Sequence, residues 1–290
     1  MNIQWYPGHM TKARRMMQEN IKLIDLIVEL VDARAPLSSR NPDIDDLGRG
    51  KARLILLNKA DLASECWNDR WTDWFLRRGF SAVRLDSRNR AGMKSVQNVI
   101  REACREKTER DQKRGIKNRP IRAMVVGIPN VGKSTFINSF AGKACAKTGN
   151  RPGVTKGAQW IRLNRQVELL DTPGILWPKF DDPEVGIRLA ILGSVNDEIL
   201  NLQELAGRLG SFLQEYFPGS LEERYQTAVP PEPERMLRKI AEVRGCLSRG
   251  GEPDVERAAS LLLDDFRSGR LGKITLEFPP EGEYDKSRKD

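Results

Sequence analysis

Short apolar runs, each closed by a polar or glycine-containing loop, recur from residue 26 to residue 174. "LIVELVDA" (26–33), "RLILLNKAD" (53–61), "AVRLDS" (82–87), "AMVVGIPN" (123–130) and "VELLDTPG" (167–174) share this form. Unbroken apolar runs of this kind suit strands buried on both faces, as in a parallel sheet. Helical patterns separate most of them, at "NDRWTDWFLRR" (68–78), "MKSVQNVIREACREKTER" (93–110) and "KSTFINSFAG" (133–142), and "MTKARRMMQENIKLI" (10–24) precedes the first. Strands alternating with helices predict a doubly wound α/β domain. "QWIRLNRQVELLD" (159–171) reads instead as a hairpin that adds an antiparallel strand at one edge.

Beyond "PKFDDPEVG" (178–186) the pattern becomes amphipathic and helical, in "IRLAILGSV", "EILNLQELAGRLGSFLQEYF", "PERMLRKIAEVRGCL" and "DVERAASLLLDDFRSG". "VPPEPE" (229–234) marks a turn between helices, and "ITLEF" (274–278) reads as a short final strand before a polar tail. Two domains are expected: an α/β domain over 1–178 and a smaller all-helical domain over 179–290.

Composition narrows the partners. The formal net charge of +9 over 290 residues marks either a generic basic protein or a bias toward polyanions such as nucleic acid or an anionic membrane surface. Residues 101–122 hold nine Lys or Arg against four Asp or Glu. This stretch reads either as a solvated helix end with a linker or as a nucleic-acid contact. The four cysteines are far apart and form no Cys-x-x-Cys pair, and the single histidine, His9, has no second histidine to join in a ligand set. Reduced thiols in a cytosolic protein, without a zinc site, are expected. No signal peptide is read at the start, and no stretch reaches the ~20 apolar residues of a membrane span.

The loops after the apolar runs carry the chemistry. "GIPNVGKS" (127–134) fits G-x-x-x-x-G-K-[ST] between a predicted strand and a helix. Gly127 and Gly132 let the backbone curl so that its N–H groups face phosphate oxygens. Lys133 neutralises the β- and γ-phosphates, and the Ser134 hydroxyl ligates Mg²⁺. Asn130, Val131 and Thr135 belong to the same nucleotide-contacting stretch. In "LLDTPG" (169–174), Asp171 suits a water-mediated Mg²⁺ contact, and the Gly174 N–H a γ-phosphate contact that responds to its loss. In "NKAD" (58–61), the Asp61 carboxylate can accept both the N1–H and the N2 amine of guanine. Adenine would leave that carboxylate buried and unpaired. Asn58 would brace the loop, and the Lys59 stem would cover the base. Thr155 in "RPGVTKG" (151–157) is either a second protein ligand to Mg²⁺ or part of a plain surface loop.

These motifs resemble those of translation-factor-type GTPases in an altered order, because the base-reading 58–61 precedes the phosphate loop. The chain is similar to circularly permuted GTPases, and within them to the ribosome biogenesis GTPase A family. "WYPGHMTKA", "DARAPLSSRNP" (32–42), "NKADL", "GIPNVGKSTFIN", "RPGVTKG" and "DTPGILWPKF" carry the likeness, which is weaker over 187–290. The resemblance implies a GTPase that uses GTP, GDP and Mg²⁺ and acts in the cytoplasm as a monomer. It also implies docking on a maturing large ribosomal subunit in the GTP state and release on hydrolysis, with the helical domain touching rRNA and ribosomal proteins; no DNA partner is expected. Ile175 stands where many small GTPases carry a water-orienting glutamine, a departure this family shares. The resemblance gives that role to His9, whereas the residues alone favour His9 packing on or capping the first helix. The GTPases that these motifs resemble support guanine O6 through backbone N–H groups of a Ser-Ala loop; by that resemblance "LDSRNRAG" (85–92) offers Ser87, without the alanine. Asn130 reads as a loop brace, or as a K⁺ ligand beside the phosphates. A reading from another class, a nucleotide-regulated RNA- or protein-binding module with incidental hydrolysis, is separated from the first by whether subunits stimulate turnover.

Overall fold

In the computed structural model of the chain, residues 3, 5–90, 92–116, 119–146 and 157–280 are described. The first helix, α1 (Gly8–Asn20), leads through a tight turn into β1 (Leu26–Asp32). A short α2 (Asp43–Leu47) precedes β2 (Ala52–Asn58), and α3 (Glu65–Arg77) precedes β3 (Ser81–Leu85). Then follow α4 (Met93–Ala103), α5 (Arg105–Lys113), β4 (Ile121–Gly127) and α6 (Lys133–Ala141), and β5 (Gln159–Arg162) and β6 (Val167–Asp171) form the hairpin. The helical part comprises α7 (Pro183–Ile191), α8 (Leu202–Tyr216), α9 (Ser220–Tyr225), α10 (Pro233–Arg244) and α11 (Val255–Arg267).

The six strands form one sheet in the order β3-β2-β1-β4-β6-β5. All neighbours are parallel except β5 and β6. Every residue of β1 is buried, as the apolar run requires of a central strand. On β2, Leu54 and Leu56 join the main core, while Ile55 and Leu57 meet a second core made by Trp67, Trp71, Trp74 and Phe75 of α3. Both faces are therefore covered. Because the strands are parallel, the loops that follow β1, β2, β3, β4 and β6 emerge at one edge, where open α/β sheets bind their ligands.

The helical part begins and is spaced by side-chain caps. Asp182, Asn201 and Asp254 accept the backbone N–H of Glu184, Glu204 and Arg257 at the starts of α7, α8 and α11. Pro183 and Pro233 stand in the first turns of α7 and α10, where the missing N–H costs nothing. Helix α8 packs on α10 and α11. Among the described residues no helix is long and apolar enough to cross a membrane.

Two expectations are corrected. The continuous helix over 93–110 breaks at Cys104. Helix α4 buries Val96 and Ile100, whereas α5 buries nothing, so no apolar face holds the two on one axis. Residues 274–278 form no strand. They lie against loops that follow β1 and β2: the Ile274 N–H donates to Leu62 O and the Leu276 N–H to Arg34 O. The Trp71 indole N–H donates to Glu277 O. Their partners are loop atoms rather than a strand edge, so burial of Ile274 and Leu276 persists without sheet pairing.

Candidate functional site

Asn58 closes β2 and ties the loops together. Its amide Nδ2 donates to Val131 O of the phosphate loop at 2.7 Å. Its Oδ1 accepts from Ser87, at 3.2 Å from N and 2.7 Å from Oγ. Ser87 O in turn accepts the Ser139 hydroxyl of α6 at 2.5 Å. One buried amide thus joins the loop of 58–61, the loop after β3 and the phosphate loop, which are remote in sequence.

The phosphate loop curls between Gly127 and α6. Gly132 has φ +102°, and a Cβ there would overlap the Asn58 amide, so the position needs glycine on both counts. Lys133 is buried and its Nζ donates to Gly127 O at 3.0 Å and Ile128 O at 2.8 Å. Val131 is buried, while Ser134 and Thr135 are half-buried in the first turn of α6, whose positive end faces the loop. Asn130 has φ +59°, and its Nδ2 donates to Gly193 O at 2.7 Å, just past the end of α7. The amide expected beside the phosphates thus makes a bond to the helical part.

Gly174 lies against the same lysine. A Cβ at 174 would come 2.8 Å from Lys133 Nζ and 2.8 Å from Pro129 Cα. Asp171, at the end of β6, is buried, and its Oδ1 is a buried oxygen with no hydrogen-bond partner. Burial lifts the Asp171 carboxyl to about 6, against the pull of Lys133 and the Thr172 N–H. Burial also draws the Lys133 ammonium down, with Asp171 opposing. A buried, unsatisfied carboxylate oxygen beside the phosphate loop fits a hard cation with its water shell. The residues present therefore fit Mg²⁺.

The loop of 58–61 is held from below. Lys59, with φ 58°, directs Nζ to Asp32 Oδ2 at 2.8 Å. Arg88 donates to Asp61 Oδ2 at 2.7 Å, while Asp61 Oδ1 is buried and has no partner. That oxygen is what a guanine N–H would satisfy. The Arg88 N–H donates to Asp86 Oδ1 at 2.9 Å, so both backbone donors around Ser87 are engaged within the protein.

His9 is exposed at the start of α1, edge-on to Trp5 with ring centroids 6.4 Å apart. The next residue, Met10, is fully buried, and its sulfur accepts the Leu176 N–H at 3.4 Å. Helix α1 is therefore seated on the segment just after Gly174. Ile175 is 1% exposed and turned into the core, so it offers nothing to a water. Thr155 lies outside the described residues.

Sequence reasoning missed Asp32, Arg34 and Arg88 as braces of the 58–61 loop, and the Asn130–Gly193 bond. The first had a signal: "DAR" closes an apolar run just as "NKAD" and "DTPG" do.

Residues 122–217 match the protein family described as 50S ribosome-binding GTPase. That match takes in the phosphate loop and 171–174 and leaves 58–61 outside, upstream. The chain is 48% identical over 282 residues to ribosome biogenesis GTPase A of Bacillus cereus, covering 97% of this chain and 95% of that one. It is 33% identical to the same protein of Thermotoga maritima, over 96% and 95% of the two chains. Among solved structures, GNP-bound YlqF from T. maritima superposes with a TM-score of 0.68 at 28% identity, over 93% of this chain and 99% of that one.

Proposed function

The chain belongs to the ribosome biogenesis GTPase A family, and from that membership and the geometry above we propose that it hydrolyses GTP in the maturation of the large ribosomal subunit, docking on a precursor in the GTP state and leaving on hydrolysis. The observation that carries the nucleotide reading is Asn58, whose amide joins the 58–61 loop to the phosphate loop at Val131 and to the loop after β3 at Ser87. Asp61, with one buried oxygen unpaired, selects guanine by accepting its two N–H donors.

In the mechanism we assign, the Lys133 ammonium exchanges its two loop carbonyls for the β- and γ-phosphate oxygens. The N-terminus of α6 adds further positive potential. Ser134 and Asp171, with Thr155, would hold Mg²⁺, which supplies neutralisation of the phosphate charge. The Gly174 N–H bonds the γ-phosphate, and only a glycine fits between Lys133 and Pro129. His9 orients the attacking water, since Ile175 is buried; α1 carries His9 on the segment that follows Gly174. Asn130 is assigned to K⁺ beside the phosphates, through its side-chain oxygen.

Residues 1–178 form the GTPase domain and 179–290 the helical domain that contacts rRNA and ribosomal proteins. The protein works as a cytoplasmic monomer. The test is sedimentation with purified large subunits. Co-sedimentation with a non-hydrolysable GTP analogue, lost with GDP and weakened steeply by salt, is expected. Equal binding in both nucleotide states would overturn the proposal.

A further inference from the structure

Residues 32–42 hold none of the nucleotide-reading positions, yet they contain the most completely buried ion pair described in the chain. Asp32 and Arg34 are each 1% exposed. Arg34 Nε meets Asp32 Oδ1 and Nη2 meets Oδ2, both at 2.9 Å, in a two-pronged pair. The second oxygen also accepts Lys59 Nζ at 2.8 Å. Lys59 stands two residues before Asp61, in a left-handed conformation that this bond helps to hold. Burial alone would raise the Asp32 carboxyl, but the two cations outweigh it and keep it ionised.

The remaining prong of Arg34 points the other way. Its Nη1 donates to Phe266 O at 3.2 Å and Arg267 O at 3.4 Å, and the guanidinium lies 4.8 Å from the Phe266 ring. These carbonyls are the negative end of the α11 dipole, a favourable seat for a cation. Arg267 then ties α11 to α7: Nε donates to Ile191 O at 3.0 Å and Nη2 to Ala190 O at 2.9 Å. The chain of contacts runs from the helical part through Arg34 and Asp32 to the loop that would read guanine.

We propose that Arg34 is a positioning residue for the guanine-reading loop, fixing Lys59 and Asp61 through Asp32 according to how the end of α11 is seated. Guanine-nucleotide affinity and the seating of the helical domain are then linked, and the linkage is reciprocal. A ligand that shifts α11 changes nucleotide affinity, and bound nucleotide changes the affinity for that ligand. This rests on the proposed assignment of 58–61 as the base-reading loop.

The test uses the full-length protein, a fluorescent GDP analogue and GTP turnover at 25 °C, with melting curves for each variant. Arg34→Met should weaken GDP binding about 10- to 100-fold, with the loss in turnover falling on KM rather than kcat. Arg34→Lys, which can reach Asp32 but cannot span both Asp32 and α11, should recover part of it. Arg267→Ala should weaken GDP binding in the same direction. The double variant Arg34→Met/Arg267→Ala should bind no more weakly than Arg34→Met alone, because both act through one chain of contacts. Unchanged GDP affinity in folded variants, or effects that multiply in the double variant, would overturn the proposal. Wild type that fails to bind GDP would remove the base-reading assignment and this inference together. Arg34 variants with normal GDP affinity, beside an Asp61→Asn variant that turns to xanthine nucleotides, would leave the site standing and remove the linkage alone.

Discussion

Replacing Asp171 by asparagine should stabilise the empty protein while disabling it. Burial lifts the carboxyl from 3.8 to about 6. At roughly 1.4 kcal/mol per pH unit, holding it ionised above pH 6 costs about 3 kcal/mol. The sign follows from proton uptake. Between about pH 4 and 6 the folded protein binds this proton and the unfolded chain does not, so folding stability declines as pH rises through that window. Asparagine removes this penalty, which is already net of the Lys133 attraction, but its amide stands where the Asp171 Oδ1 has no hydrogen-bond partner, and burying it takes back part of the gain. A net gain of about 1 kcal/mol remains, or about 2–4 °C in melting temperature for a chain of this size. The assay is thermal melting of Asp171→Asn and wild type, free of nucleotide and Mg²⁺, from pH 4 to 8. The variant should melt higher at pH 7.5, and the gap should close below about pH 5. In the same variant, Mg²⁺-dependent GTP turnover should fall about 100-fold or more. A variant less stable than wild type by the same margin across the whole pH range would refute the reasoning, because Asp171 would then be a satisfied structural carboxylate.

Asn58→Ala breaks three bonds that join the loops, and should weaken GDP binding by at least about tenfold by titration, with a loss of about 2–3 kcal/mol in stability by denaturant melts. Asp61→Asn should lower GTP affinity and raise xanthosine triphosphate affinity, since an amide donates where the carboxylate accepted; competition binding checks the exchange. If K⁺ sits by Asn130, turnover in K⁺ should exceed turnover in Na⁺ by about tenfold or more, and Asn130→Ala should erase the difference; equal rates remove K⁺ from the account.

The parts of this protein readable in advance were those set by local pattern. Apolar runs such as 26–33 and 123–130 became buried parallel strands because a parallel sheet asks only for continuous hydrophobicity. The structure brings Asn58, Lys133 and Gly174 to one sheet edge because strand, turn and helix place them there whatever the rest of the chain does. Residues 274–278 misled because a buried apolar segment has the same pattern whether it pairs with a strand or packs on loops. The break at Cys104 was hidden because the amphipathic pattern of α4 fades gradually into the charged α5. Arg34 was beyond reach for a different reason. Its partners Phe266 and Arg267 lie more than 200 residues away and accept through backbone carbonyls, which leave no mark in sequence. The same holds for Asn130 and Gly193: nothing in the loop motif says that its asparagine reaches into the helical part.

The central claim is a GTPase triggered on the large ribosomal subunit through His9. Its most direct test is GTP turnover in K⁺ buffer, with and without purified large subunits, for wild type and His9→Ala. The account predicts stimulation by subunits in wild type that disappears in His9→Ala, with GTP and subunit binding intact. Stimulation that survives the substitution would contradict the role of His9, and no stimulation in either protein would contradict the ribosomal trigger itself.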